Sequence, residues 1–127
     1  MQGTHADIAP GEGIIDGNLA YGMIVDVFQS QARDLDQATT QLLNELKRGN
    51  PSMQISRSRT QTRVDGKAAL STEVLNDSPA GGQETDVVIT VQRAANEVLY
   101  FVLVAPSKDF GQYRTTFNAV LDSVRLR

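Results

Sequence analysis

Three carboxyl side chains have a type and position that could support acid–base chemistry. Glu73 and Asp86 fall on two strand-like segments that could be neighbours in a sheet. Two nearby carboxyl groups can divide the roles of general acid and general base. Asp26 lies in an apolar strand-like segment, where burial would raise its pKa and suit it to act as a general base. Nothing in the spacing requires either site, since such residues also occur at strand ends or hydrogen-bonded to a neighbouring loop.

A row of basic side chains is the second candidate. Arg57, Arg59 and Arg63 share one face of the strand-like segment 54–64, and Lys67 follows the next turn. Such a stripe could bind an anion, a phosphate or an acidic segment of a partner protein. We favour the alternative, in which 54–64 is an edge strand whose charges prevent pairing with another chain.

The remaining candidates have ordinary structural interpretations. A metal site at His5 and Asp7 would need further ligands in a convergent geometry. Ser107 is expected to cap a helix, because a serine nucleophile needs a base and the single histidine is distant in sequence. Gly81 and Gly82 precede a strand rather than a helix, unlike a phosphate-binding loop. With no HExxH, GxSxG or P-loop pattern, we predict no catalytic residue, cofactor or metal site in this chain.

Composition narrows the classes of protein further. The chain has 127 residues, of which 40% are hydrophobic and 21% charged, as expected for one globular domain. The absence of cysteine excludes disulfides, a thiol nucleophile and a zinc finger. The net charge of -3 argues against a general nucleic-acid binder. The apolar runs 87–89 and 98–105 are too short to span a bilayer. The polar opening lacks a signal-peptide pattern, and we expect the chain to be a piece of a longer protein.

Apolar periodicity predicts a first helix. One stripe of a 3.6-residue period is formed by Leu35, Ala38, Thr39, Leu42, Leu43 and Leu46. Asp34 is the expected N-cap, with Gln37 completing a capping box. The helix should stop at Gly49-Asn50-Pro51, with the glycine in the left-handed conformation.

Alternating apolar residues predict a sheet, with strands over 19–28, 54–64, 67–75, 85–93 and 98–105. Asp65-Gly66 favours a tight hairpin. The segment 98–105 is apolar on both sides and must be covered on both faces. A second helix should follow Ser107, with a stripe made of Phe110, Tyr113, Phe117, Val120, Leu121 and Val124. We therefore predict a single α+β domain over 1–127, a three-layer α/β/α sandwich whose central, mainly antiparallel sheet has 98–105 in the middle.

Several segments occur together in an order typical of one family. They are the helix over 35–51, V-D-G-K-A-A-L at 64–70, N-D-S-P-A-G-G-Q-E at 76–84, the strand at 100–106 and the closing helix over 113–124. This series, from about Gly13 to Arg127, resembles the C-terminal module of bacterial exported zinc metallopeptidases related to CAAX-processing proteases. That module has the PsbP-like α/β/α sandwich fold.

The resemblance implies a non-catalytic accessory or protein-binding domain attached to a metallopeptidase. It implies a partner protein or a protease domain in cis, and export or a place in the cell envelope. From charge and the length of the apolar runs we expect neither nucleic-acid binding nor membrane insertion by this segment. The family's zinc ligands lie on an upstream HExxH helix, so no ligand role transfers to this chain. One alternative is a free-standing ligand- or anion-binding domain or small enzyme that uses Arg57, Arg59 and Arg63 with Glu73 or Asp86. Another is a structural protein that self-associates through its sheet edge.

Overall fold

A computed structural model of the chain describes the backbone of residues 6–8, 14–15 and 18–19, and both backbone and side chains of 22–55, 59–79 and 81–126. The described strands are β1 (Ala6–Ile8), β2 (Ile14–Ile15), β3 (Asn18–Leu19), β4 (Gly22–Gln29), β5 (Gln54–Ile55), β6 (Thr60–Val64), β7 (Lys67–Asp77), β8 (Gln83–Ala94) and β9 (Glu97–Pro106). The helices are α1 (Leu35–Gly49) and α2 (Phe110–Ser123), the latter preceded by a 3-10 turn over Ser107–Asp109.

Seven of these strands form one sheet in which every described pairing is antiparallel. The order is β1-β4-β9-β8-β7-β5, and β6 also pairs with β7. The remaining two described strands, β2 and β3, pair with each other. Strand β9 is hydrogen-bonded to β4 on one side and to β8 on the other, which confirms the interior position predicted for 98–105. The part of the chain that the structure describes is therefore an α+β fold with an antiparallel sheet and two α-helices.

Side chains of the sheet divide between two buried clusters. Phe110 and Phe117 of α2 belong to the first, which we call the Phe117 cluster, together with Phe101, Leu103 and Ala105 of β9. Leu42 and Leu43 of α1 belong to the second, the Leu42 cluster, together with Val102 and Val104 of β9. Successive residues of a strand point to opposite faces, and successive residues of β9 alternate between the two clusters.

Helix α1 begins as the sequence predicts and ends differently. The Asp34 side chain accepts a hydrogen bond from the Gln37 N–H at 2.8 Å, so the predicted N-cap is confirmed. The predicted left-handed Gly49 is wrong, because the helix includes this glycine and its φ is not positive. Asn50 ends the helix instead, with its N–H bonded to the Lys47 carbonyl and its side-chain amide donating to the Leu46 carbonyl.

Two further predictions concern the connections. Asp65 and Gly66 both have positive φ, at 50° and 77°, as a type I′ hairpin turn requires. The predicted capping role of Ser107 is wrong: its hydroxyl lies 2.8 Å from that of Thr85, and the 3-10 turn has no side-chain cap. The strand predicted over 54–64 is present as β5 and β6, which both pair with β7.

Within the described residues, no helix has both the length and the apolar character needed to cross a membrane.

Candidate ligand-binding site

A cavity of about 510 Å³ lies where the C-terminal end of α1 meets the sheet. About half of its lining is apolar, including Leu46 of α1 with Val74, Val88 and Val104 of the sheet. The polar side chains that line it come mainly from the ends of β7 and β8, namely Asn76, Asp77, Ser78, Glu84 and Asp86. The cavity thus combines apolar walls with a few polar groups, as ligand-binding sites commonly do.

Strand alternation places two carboxyl groups on the floor of this cavity. Glu84, Asp86 and Val88 are separated by two residues each and therefore share one face of β8. The register puts Asn76 of β7 opposite Glu84. Both acidic residues are almost completely buried, with exposed fractions of 7% for Glu84 and 5% for Asp86. Charged side chains are rarely buried unless they have partners, so we expect hydrogen bonds to Glu84 and Asp86.

Hydrogen bonding at the floor is incomplete. The Asn76 side-chain amide donates to Asp86 Oδ2 at 2.7 Å. Asp86 Oδ1 and Asn76 Oδ1 are buried and have no hydrogen-bond donor among the described residues. An unsatisfied buried acceptor costs free energy, and these two oxygens therefore favour any group that brings N–H or O–H donors into the cavity.

Protonation of the carboxyl pair supplies one such donor. Burial raises the pKa of Glu84 to about 9, with further contributions from its hydrogen bond to Asp86 and from the charge of that residue. Burial also raises the pKa of Asp86, while hydrogen bonds from Glu84 and Asn76 oppose the rise. Near neutral pH the pair therefore holds at least one proton, and the hydrogen bonds to Asp86 favour its placement on Glu84.

The surroundings of the pair are electronegative. Neither lysine, arginine nor histidine lines the cavity among the described residues. The C-terminal end of α1, which reaches the cavity at Leu46 and Asn50, carries the partial negative charge of a helix dipole. Lys47 and Arg48 in its last turn offset part of that charge from outside the lining. The exposed Asp77 adds a third carboxylate at the wall. The arrangement suits a positively charged ligand.

The structure does not bring Glu73 and Asp86 together. Glu73 lies opposite Val87 in the register, whereas Asp86 lies opposite Val74. Val87 belongs to the Phe117 cluster and Val74 to the Leu42 cluster, so the two carboxyl groups are on opposite faces of the sheet. Sequence reasoning missed Glu84 as the partner of Asp86, although their spacing of two on an apolar strand could have shown it.

Asp26 is part of the sheet's hydrogen bonding. Its Oδ1 accepts from the Val27 N–H at 2.7 Å, and its register partner on β9 is Tyr100. Burial, the charge of Asp26 and a hydrogen bond to it raise the pKa of Tyr100 to about 12. Among the residues whose side chains are described, no group of three or more His, Asp or Glu could hold a metal ion. The predicted candidate His5 lies outside the described residues.

The basic stripe is partly engaged within the chain. One Arg59 guanidinium nitrogen lies 2.8 Å from the Asp36 carboxylate, and the other donates to the Thr40 hydroxyl at 2.6 Å. Arg63 donates to the Gly66 carbonyl at 2.9 Å, and Lys67 is exposed.

Arg57 lies outside the described residues. An open groove of about 500 Å³ beside Arg63 is also lined by Asp34 and Asp36, so it mixes both signs of charge. Anion binding by the stripe stays a prediction.

Comparison with known proteins shows the fold alone. No family model matches the chain, and no curated protein is similar enough in sequence to count as a relative. A crystal structure from Pseudomonas aeruginosa, of the protein PA94, is similar with a TM-score of 0.66 and 12% sequence identity. The similarity covers 99% of this chain and 83% of that one. PA94 is described as a protein of unknown function and a candidate regulator.

Proposed function

We propose that this chain is a non-catalytic binding module whose ligand-binding site is the cavity between the end of α1 and the sheet. The observation that carries the proposal is Asp86, a buried carboxyl group in the cavity with one oxygen that has no donor other than the proton held by Glu84. A binding partner that supplies a donor removes the free-energy cost of that oxygen. The apolar walls add a contribution from buried surface.

The layering of the helices and the sheet is part of the same proposal. We propose a three-layer α/β/α sandwich of the PsbP-like kind, with α1 and α2 on opposite faces of the sheet. The alternation of β9 side chains between the Leu42 and Phe117 clusters supports this layering. The motifs that resemble the metallopeptidase module support its attachment to a protease domain, with that domain or a separate protein as partner. An in-frame HExxH helix encoded upstream would support attachment, and a complete reading frame that starts at Met1 would contradict it.

Nuclear magnetic resonance with isotope-labelled protein tests the location of the site. The probes are three small compounds at millimolar concentration: an alkylamine, an alkylcarboxylate and a neutral alkylamide. We expect the amine to shift backbone amide signals of 74–78, 84–88 and 102–104. Perturbation centred on 59–67 by the carboxylate would support the basic stripe instead and overturn the proposal. Failure of every compound to perturb the cavity amides would overturn it as well.

Two matched substitutions sharpen this experiment. Asp77 is exposed at the wall of the cavity, and Asp77→Trp should narrow it and reduce the shifts at 84–88. Gln61 is exposed in the groove beside Arg63, and Gln61→Trp should leave these shifts unchanged. The opposite pattern would place the ligand in the groove and would contradict the proposal.

A further inference from the structure

We propose that the cavity binds the guanidinium group of an arginine side chain carried by a partner protein. This inference rests on the proposed function and adds the chemical class of the ligand. It begins from two buried oxygens, Asp86 Oδ1 and Asn76 Oδ1, that have no donor among the described residues other than the proton held by Glu84. Both belong to side chains that line the cavity. The exposed fraction of Asp86 is only 5%.

The form of the acceptor set favours a guanidinium over an ammonium. Asp86, Asn76 and Glu84 lie on two adjacent strands, within two register positions of each other, and they offer several acceptors over a short distance. A guanidinium presents five N–H donors in one plane and suits such an array, whereas an ammonium is a compact point charge. The guanidinium is also more weakly hydrated, so its transfer to a buried floor costs less.

The walls suit the rest of the arginine side chain. Its three methylene groups can pack against apolar surface while the charged end reaches a polar partner. Leu46 from α1 and Val74, Val88 and Val104 from the sheet line the same cavity as the carboxyl pair and provide that surface. The cavity volume of about 510 Å³ is within the usual range for ligand sites.

Binding should release the proton held by the pair. The titratable groups that line the cavity are Glu84 and Asp86 on β8 and Asp77 on β7, and neither α1, β4 nor β9 contributes another. A guanidinium remains charged at every accessible pH, and its positive charge favours the ionised form of Glu84. One proton should therefore leave for each guanidinium bound, and affinity should rise up to about tenfold per pH unit below the pKa of Glu84.

Calorimetric titration with three blocked amino acids tests the ligand class. The probes are N-acetyl-arginine methylamide, the corresponding lysine compound and the corresponding citrulline compound, a neutral isostere of arginine. We expect the arginine compound to bind at least tenfold more tightly than citrulline and more tightly than lysine. Repetition at pH 6, 7 and 8, in buffers with different ionisation enthalpies, should show rising affinity and the release of about one proton.

Three substitutions separate this role from a structural one. Asp86→Asn removes the charge and should weaken arginine binding at least tenfold. Glu84→Gln imitates the protonated residue, so it should weaken arginine binding at least tenfold at pH 7 and abolish the pH dependence and the proton release. Glu45→Gln changes the same charge at an exposed position of α1 and should alter neither. Amide spectra establish that each variant is folded, and Glu84→Gln keeps the test decisive if Asp86→Asn is not.

Several results would overturn the inference. Equal affinity for arginine and citrulline would show that charge is not recognised, and tighter binding of lysine would assign the site to an ammonium. Perturbation of the cavity amides by calcium chloride, without an effect of the arginine compound, would assign it to a metal ion. In each case small compounds would still bind in the cavity and the proposed function would stand. If no compound bound there, both proposals would fail.

Discussion

The hydroxyl of Thr39 on α1 lies 2.7 Å from the hydroxyl of Thr90 on β8, and both residues are completely buried. Thr90 shares its face of β8 with Val88, Asp86 and Glu84. The hydrogen bond therefore holds α1 against the same face that forms the floor of the cavity. It is a buried polar contact between the helix and the sheet.

Removal of both hydroxyls of this pair should lower the free energy of unfolding by less than the sum of the two single removals. Thr90→Val leaves the Thr39 hydroxyl buried without its partner, and we expect the free energy of unfolding to fall by about 1 to 3 kcal/mol. Thr39→Val should have a similar effect. The double variant should lose less than the sum of the two, because no polar atom is then left unpaired. Urea unfolding of the four proteins measures this, and strictly additive losses would show that the bond has no energetic role.

Two exposed glycines should respond in opposite ways to substitution by alanine. Gly66 has a φ of +77° in the hairpin turn, where a side chain is strained, so Gly66→Ala should reduce stability by about 1 kcal/mol. Gly111 lies in α2 with open space around it and no positive φ, so Gly111→Ala should increase stability by up to about 1 kcal/mol. Thermal unfolding checks both. A stabilised Gly66→Ala protein would contradict the turn conformation.

The stability of the protein should depend on pH through Glu84. Its pKa is raised from 4.5 to about 9 by folding, so the unfolded chain releases this proton at a lower pH than the folded one. The stabilising protonated form is present below pH 4.5, and its contribution declines as pH rises from 4.5 through about 9. The slope should approach about 1.4 kcal/mol per pH unit.

Glu84→Gln isolates this effect. We expect the variant to be more stable than the parent protein at pH 8 and to lose most of the decline between pH 5 and 9, because glutamine has no proton to release. Glu45→Gln, at an exposed residue, is the matched control and should leave the slope unchanged. Urea unfolding at each pH measures the difference, and an unchanged slope in Glu84→Gln would contradict a raised pKa.

The periodicity of apolar residues is sufficient to predict the main helices and strands, but it does not predict the ligand-binding site. The spacing of Leu35, Leu42 and Leu46 identified α1 because a helix face repeats every 3.6 residues. The absence of a polar face at 98–105 identified the inner strand. Both patterns can be recognised within a single segment and do not depend on which other segment packs or pairs with it. The Asp65-Gly66 turn was predictable for the same reason, since its backbone angles depend on these two residues.

The site depends on relationships that the sequence leaves open. Strand register determines whether Glu73 and Asp86 lie on the same face of the sheet, and a shift of one residue would move one of them to the other face. Ser107 has a cap-like position, yet the neighbouring Thr85 hydroxyl, 22 residues away, engages it. The side chain of Asn50 bonds to the last turn of α1, and the helix includes Gly49 instead of ending before it. The cavity itself arises from how α1 ends above β8, and no single segment encodes that.

Titration of the carboxyl carbons by nuclear magnetic resonance is the most direct test of the buried pair on which this account depends. In carbon-labelled protein, the Glu84 signal should remain that of a protonated acid at pH 7 and change only near pH 9. Its change should be accompanied by a shift of the Asp86 signal, and Asp86→Asn should lower the pH at which it occurs. A Glu84 signal that titrates near pH 4.5, independently of Asp86, would contradict the account.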